Sequence, residues 1–225
     1  DIPAITDVAH KAGIKVVMDN TWAAGYFFKP FEHGVDVSVQ AATKYYVGHS
    51  DAMVGTVSMS GDNVQPVIDC IRVLGNNIAP DDAYLALRGM RTLSARLKRH
   101  EKNALTVAEW LAGQPEIDRV LHPALPSCPG HELWQRDFTG SNGLFSVIFK
   151  PFEQSAMHGF IDGLELFSLG GSWGGYESLV LPSNVTRTAT EWTENAQSIR
   201  FHIGLEDPDD LIEDIAAGLK RLAKS

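Results

Sequence analysis

Two short apolar runs constrain this chain more than any other feature. IKVVMD (14–19) and VDVSVQAAT (35–43) are β-prone, nearly continuous in apolar residues, and set among helix-like segments. Runs of that kind read as strands buried on both faces of a parallel sheet, with helices covering the faces. AMVGTVSMS (52–60) predicts a third strand. The expected fold class is α/β.

The helices expected around these strands have their own signals. Asp1 is placed to cap the first, Pro3 suits its first turn, and Gly13 ends it. Ile5, Val8, Ala9 and Ala12 fall on one face of it. Residues 62–75 predict another helix. Residues 79–113 predict a long helical region that starts at Pro80 and Asp81 and stops at Gly113. Leu93, Leu97, Ala104, Val107 and Leu111 form its apolar stripe, and Gly89 is a candidate break.

The texture changes after about residue 90, so the expected domains are 1–90 and 91–225. The second holds a Pro-rich loop, HPALPSCPG (122–130), and two strands, GLFSVIF (143–149) and IRFHIG (199–204). It ends in an amphipathic helix from Pro208 to Ser225. There Leu211, Ile212, Ile215, Leu219 and Leu222 face one way, and Lys220, Arg221 and Lys224 favour the negative end of the helix dipole. This half reads as a smaller α/β or α+β domain.

The totals exclude some functions. With 225 residues the chain has ample length to bury a core. Its net charge of −9 argues against a nucleic-acid partner, which selects for a basic face. No apolar stretch reaches the roughly 18 residues that a membrane span needs, and there is no signal-peptide pattern. Two cysteines, Cys70 and Cys128, without a CxxC, fit reduced thiols in a cytoplasmic protein. The chain opens without Met and midway through a βα unit, which predicts a piece of a longer polypeptide.

Both leading strands end on a polar group. Asp19 closes the first, and Lys44 follows the second. Ligands of open α/β sheets bind at the carboxyl ends of strands, so an acid and an amine are expected at one edge of one sheet. Pyridoxal phosphate needs that pair: the lysine for a Schiff base, the aspartate for its pyridine nitrogen. Burial favours the neutral amine that this chemistry uses. Thr43 adds a hydroxyl for the phosphate. The same residues also read as a solvated loop lysine and a turn-forming aspartate. His49, in the turn after Lys44, reads as a turn and packing residue.

Other motifs are weaker. His100-Glu101 and His131-Glu132 start like a zinc HExxH, but neither has the second histidine, so no metal is expected. SLGGSWGGYES (168–178) is Gly-rich without a phosphate-loop Gly-Lys, and its glycines around Ser172 and Trp173 fit either a ligand approach or a plain turn. Arg200 reads as either a surface charge or a fork for a carboxylate.

The longer segments carry a resemblance. VVMDNTWAAGYFFKPFEHGVDVSVQAATKYYVGHSDAMVGT (16–56) resembles the cofactor-lysine region of the Cys/Met-metabolism family of pyridoxal-phosphate enzymes. SWGGYESL (172–179) and IRFHIGLED (199–207) resemble its C-terminal motifs. Within that family DNTWAAG, QAATKY and SWGGYESL are most similar to the branch that cleaves L-cystathionine by β-elimination into homocysteine, pyruvate and ammonia. The γ-eliminating and γ-synthesising branches typically read SLGGVESL where this chain has Trp173 and Tyr176. The resemblance implies a type I pyridoxal-phosphate fold, with part of the large mixed/parallel-sheet cofactor domain and a smaller C-terminal domain. It implies Lys44 as the cofactor lysine and catalytic base, Asp19 and Thr43 as cofactor-binding residues, and Arg200, Ser172 and Trp173 as substrate-binding residues. It further implies a homotetramer and a preceding segment that completes the site. The alternatives are a γ-lyase, γ-synthase or cysteine desulfhydrase activity, or a non-catalytic piece.

Overall fold

The computed structural model describes residues 1–183, 185–193 and 197–223. Lys224 and Ser225, expected at the end of the last helix, lie outside the described residues. The chain separates into two compact units. One is Asp1–Ser94 with Asp137–Thr139, and the other is Ala95–Arg136 with Gly140–Ser225.

The first unit opens on α1 (Ile2–Lys11), where the Asp1 side chain accepts the Ala4 N–H at 3.2 Å as an N-cap. Strands β1 (Val17–Asp19), β2 (Val37–Ala41) and β3 (Gly55–Met59) form a sheet in that order. The pair β1–β2 is parallel and β2–β3 antiparallel. Helices α2 (Val64–Leu74) and α3 (Pro80–Met90) follow. Phe28 is fully buried and stacks on both His33 and Phe138, which fixes the returning strap 137–139 to this unit.

Two expectations need correction here, on the run IKVVMD and on the region 79–113. The run IKVVMD is not buried on both faces: its strand is short and at the edge of the sheet, and Val17 is 62% exposed. The apolar face of α1 is open as well, with Ile5 and Val8 54% and 68% exposed. The pattern is that of covered elements, but no described residue covers them. The region 79–113 is two helices, because the chain turns at 91–92 before α4 (Leu93–Ala112) begins.

Gly89 does not break α3. It sits buried inside that helix, where a Cβ would lie 2.1 Å from the Tyr46 carbonyl oxygen and 2.3 Å from that of Val47. Only a glycine lets the helix approach the turn after β2 so closely.

The second unit is built on a five-stranded sheet of order β4 (Ile117–Leu121), β5 (Leu144–Phe149), β8 (Ser198–His202), β7 (Leu179–Pro182) and β6 (Ser168–Leu169). All neighbours are antiparallel except β6 and β7. Residues 147, 199 and 201 from the central strands meet Leu111 of α4, Phe160 of α6 (Gln154–Asp162), and Leu211, Ile215 and Leu222 of α7 (Pro208–Leu222) in one buried cluster. The short α5 (His131–Asp137) lies between β4 and β5 in the chain. The sequence signals miss β4, β6 and β7. Among the described residues no helix is long and apolar enough to cross a membrane.

Candidate cofactor and substrate site

Parallel pairing puts the ends of β1 and β2 at the same edge, with Asp19 opposite Val39. Asp19 ends β1. Its Oδ1 accepts the Thr21 backbone N–H at 2.9 Å and the Thr21 hydroxyl proton. The Thr21 hydroxyl in turn accepts the Ala41 N–H at 2.8 Å, which ties the end of β1 to the end of β2. Among the described residues Oδ2 of Asp19 accepts no hydrogen bond, and the residue is exposed.

Lys44 follows β2 on a tight turn. Its N–H donates to the Ala41 carbonyl at 3.0 Å, and its own carbonyl accepts the Gly48 N–H at 2.8 Å. Thr43 locks the turn from the far side. Its hydroxyl accepts the Val54 N–H at 2.8 Å and donates to the Val54 carbonyl at 3.3 Å, so a donor role towards phosphate exchanges the longer of these bonds. Beneath the turn Ala42, Val47, Val54 and Ala86 form a small apolar cluster. Lys44 is half-buried, and Tyr45 beside it is buried. His49 bonds the Val47 carbonyl at 2.7 Å, as a turn residue would.

The second unit carries the other three candidates. Arg200, half-buried on β8, donates through Nη2 to the carbonyls of Gly170 at 3.1 Å and Ser172 at 3.3 Å. Burial pulls its pKa below the usual guanidinium value. Among the described residues no carboxylate lies within ion-pair distance of it. Ser172 is exposed and Trp173 half-buried, both on the Gly-rich loop that Arg200 holds. Lys44, Asp19 and Thr43 therefore share the first unit, and Arg200, Ser172 and Trp173 the second.

The two His-Glu pairs have structural partners. His100 bonds the Ile203 carbonyl at 2.8 Å, His131 that of Pro123 at 2.9 Å, and Glu101 accepts the Ser141 N–H at 2.8 Å. Sequence reasoning missed Thr21, whose only signal is its place two residues after a strand-end acid. It also missed His202, Glu206 and Ser178, which hold the Gly-rich loop through contacts that no local pattern announces.

The donor set at the edge of β1 and β2 fits pyridoxal phosphate. One carboxylate oxygen is fixed and the other open, and an amine stands on the neighbouring strand's turn. Such a pair supplies what pyridoxal phosphate requires of a protein, an amine for a Schiff base and an acid for its pyridine nitrogen. The chain belongs to the Cys/Met metabolism PLP-dependent enzyme family, whose model matches residues 1–220. It is 46% identical over 99% of its length to cystathionine beta-lyase MetC of Escherichia coli K12, and 44% identical over 99% to cystathionine beta-lyase of Haemophilus influenzae. It spans 58% of the length of each of these relatives. A solved structure of cystathionine gamma synthase from Xanthomonas oryzae matches all of the chain with a TM-score of 0.90 at 36% identity, over 60% of that structure's chain. The fold is thus that of this family's cofactor and C-terminal regions, as the motifs implied.

Proposed function

We propose that the protein carrying this chain is a cystathionine β-lyase: it cleaves L-cystathionine with water into homocysteine, pyruvate and ammonia. The observation that carries the reading is the Asp19–Lys44 arrangement at one carboxyl edge of β1 and β2. The lyase relatives and the Trp173–Tyr176 pair support β- over γ-elimination.

Pyridoxal phosphate, when bound, draws electrons away from the substrate Cα. Asp19 Oδ2 would accept the ring N–H of that group, with Oδ1 held by Thr21. Thr43 binds a phosphate oxygen. Lys44 would hold the cofactor through its amine, and the same amine, when released and neutral, would serve as general base for the substrate Cα proton. As the Cβ–S bond breaks, the protonated Lys44 amine would return that proton to the departing sulfur. Arg200 orients the α-carboxylate with its planar fork, and Ser172 and Trp173 line the same pocket. Water releases the three-carbon remainder as pyruvate and ammonia.

The same reading makes residues 1 to about 90 the end of the cofactor domain and the rest the small domain of a cytoplasmic homotetramer in methionine biosynthesis. Exposed Tyr84, Leu87 and Met90 along α3 support association. The open faces of α1 and β1 support a preceding segment that covers them and completes the site.

The test is borohydride reduction of the cofactor-loaded protein followed by peptide mapping, together with assay of the keto acid from L-cystathionine. The expected result is an adduct on Lys44, pyruvate as product, and loss of turnover in Lys44→Ala. An adduct elsewhere, or undiminished β-elimination in Lys44→Ala, overturns the reading. The γ-synthase likeness favours γ-chemistry as the second reading, for which the product is 2-oxobutyrate. A desulfhydrase also yields pyruvate but prefers cysteine to cystathionine.

A further inference from the structure

Among the described residues, side chains that follow one another along β8 and the turn beyond it hold the Gly-rich loop 170–178. Arg200 takes the carbonyls of Gly170 and Ser172. His202, buried, accepts the Gly174 N–H on Nε2 at 3.0 Å. Glu206 accepts the Ser178 N–H at 2.6 Å on Oε1 and the Ser178 hydroxyl proton at 2.9 Å on Oε2. The Ser178 hydroxyl accepts the Gly204 N–H at 2.9 Å, and the Tyr176 carbonyl accepts the Leu205 N–H at 2.8 Å.

The anchors are themselves braced. A Cβ on Gly204 would fall 2.3 Å from both Glu206 Oε2 and the Tyr176 carbonyl oxygen, so only glycine lets Glu206 and the loop meet. From α4, Asn103 donates to the carbonyls of Gly204 at 3.1 Å and Glu206 at 2.8 Å, and Arg99 donates to that of Glu206 at 3.2 Å. His100 bonds the Ile203 carbonyl. A loop rich in glycine has many backbone conformations to lose. Ser172 and Trp173 lie between the Arg200 and His202 anchors, so their pose depends on both ends of the clamp.

We propose that His202 and Glu206 are positioning residues: they fix the 170–178 loop and thereby set where Ser172 and Trp173 stand. This rests on the reading that those two residues line the substrate pocket. Four variants separate the roles. Leu at either position removes the acceptor, whereas Gln keeps an acceptor oxygen at nearly the same reach: His202→Leu against His202→Gln, and Glu206→Leu against Glu206→Gln.

Hydrogen exchange over residues 170–178 of the intact protein is the direct measurement, because it reads local opening without any turnover. Losing one buried acceptor should raise loop exchange about tenfold in each Leu variant. The Gln variants should stay near the parent, and strands β5 and β8 should stay protected throughout. In steady-state assays with L-cystathionine the Leu variants should raise KM more than they lower kcat. Unchanged loop exchange in the Leu variants overturns the clamp. Faster loop exchange with an unchanged KM overturns the positioning role. If a Leu variant does not fold, Ser178→Ala decides for the far anchor, since it leaves β8 intact. If the parent does not turn over L-cystathionine, the functional reading fails, and the exchange data still decide the clamp.

Discussion

Thr21 holds Asp19 by two hydrogen bonds to one carboxylate oxygen, from its backbone N–H and from its hydroxyl. The hydroxyl also takes the Ala41 N–H, so one small side chain sets both the acid and the strand that leads to the lysine. Thr21→Val keeps the shape and the backbone bond and removes the hydroxyl. Its expected cost is about 1–2 kcal/mol in cofactor binding, or roughly tenfold in Kd. Thr21→Ser should restore most of it. Titration of the apo protein with pyridoxal phosphate measures both.

Arg200 carries a different kind of prediction. Its guanidinium is half-buried and partly desolvated, and among the described residues its hydrogen bonds go to carbonyls. Arg200→Lys keeps a charge but loses the planar fork and the hold on Gly170 and Ser172. KM for L-cystathionine should rise about tenfold or more, the worth of a bidentate charge-assisted contact. Cofactor absorbance should not change, because Asp19 and Lys44 are untouched. Equal KM in the two proteins would remove Arg200 from substrate binding.

Much of this was legible in the sequence because it is local. The runs ending at Asp19 and before Lys44 announced two strands and the edge they share. Direction was not legible: β3 runs antiparallel to β2, and strand composition says nothing of that. Strand β4 hid because Asp118 and Arg119 interrupt its apolar pattern, and β6 because it has two residues. Val17 gave the right element and the wrong burial, since a pattern shows which face wants covering and not what covers it. The clamp by His202 and Glu206 was invisible because its partners lie 28 residues away in the chain.

Gly89 tests how the lysine turn is supported. Gly89→Ala places a methyl group against the Tyr46 and Val47 carbonyls, and backbone cannot move aside as a side chain can. The expected destabilisation is about 1–3 kcal/mol, as for overpacking. It should lower the urea midpoint. The same variant should weaken cofactor binding, because the displaced turn carries Lys44. Gly159→Ala, inside α6 at ordinary helical φ with nothing within 4 Å of the added Cβ, controls for the loss of a helical glycine alone.

Asp36 should make folding sensitive to strong acid. The Val16 N–H, then His10, then Lys15 hold its carboxyl at about 2, below the ordinary 3.8. A lowered acid stabilises the fold above its unfolded pKa, and that contribution is lost as pH falls from about 4 to about 2. His10 and Lys15 are exposed, so salt screens their share and about 1–2 kcal/mol remains. Asp36→Asn should flatten the stability curve in that window, followed by urea unfolding at low and high salt.

His100 and His122 act in a higher window and with the opposite chemistry. Both are buried in the second unit, and burial lowers each from 6.5 to about 4, because the charged ring loses its water. The unfolded chain therefore binds more protons than the folded one between those values. Stability is full above about pH 6.5 and falls as pH drops towards 4. Each histidine should withdraw about 3 kcal/mol across that range, so the second unit should loosen well before Asp36 is protonated. His100→Asn keeps a donor for the Ile203 carbonyl and cannot take a proton. It should remove one histidine's share of the slope while leaving stability near pH 8 lower by no more than a modest packing loss. Urea midpoints from pH 8 to 4, followed by hydrogen exchange in β5 and β8, decide it. A slope identical to the parent's would mean that His100 is not neutral in the folded chain.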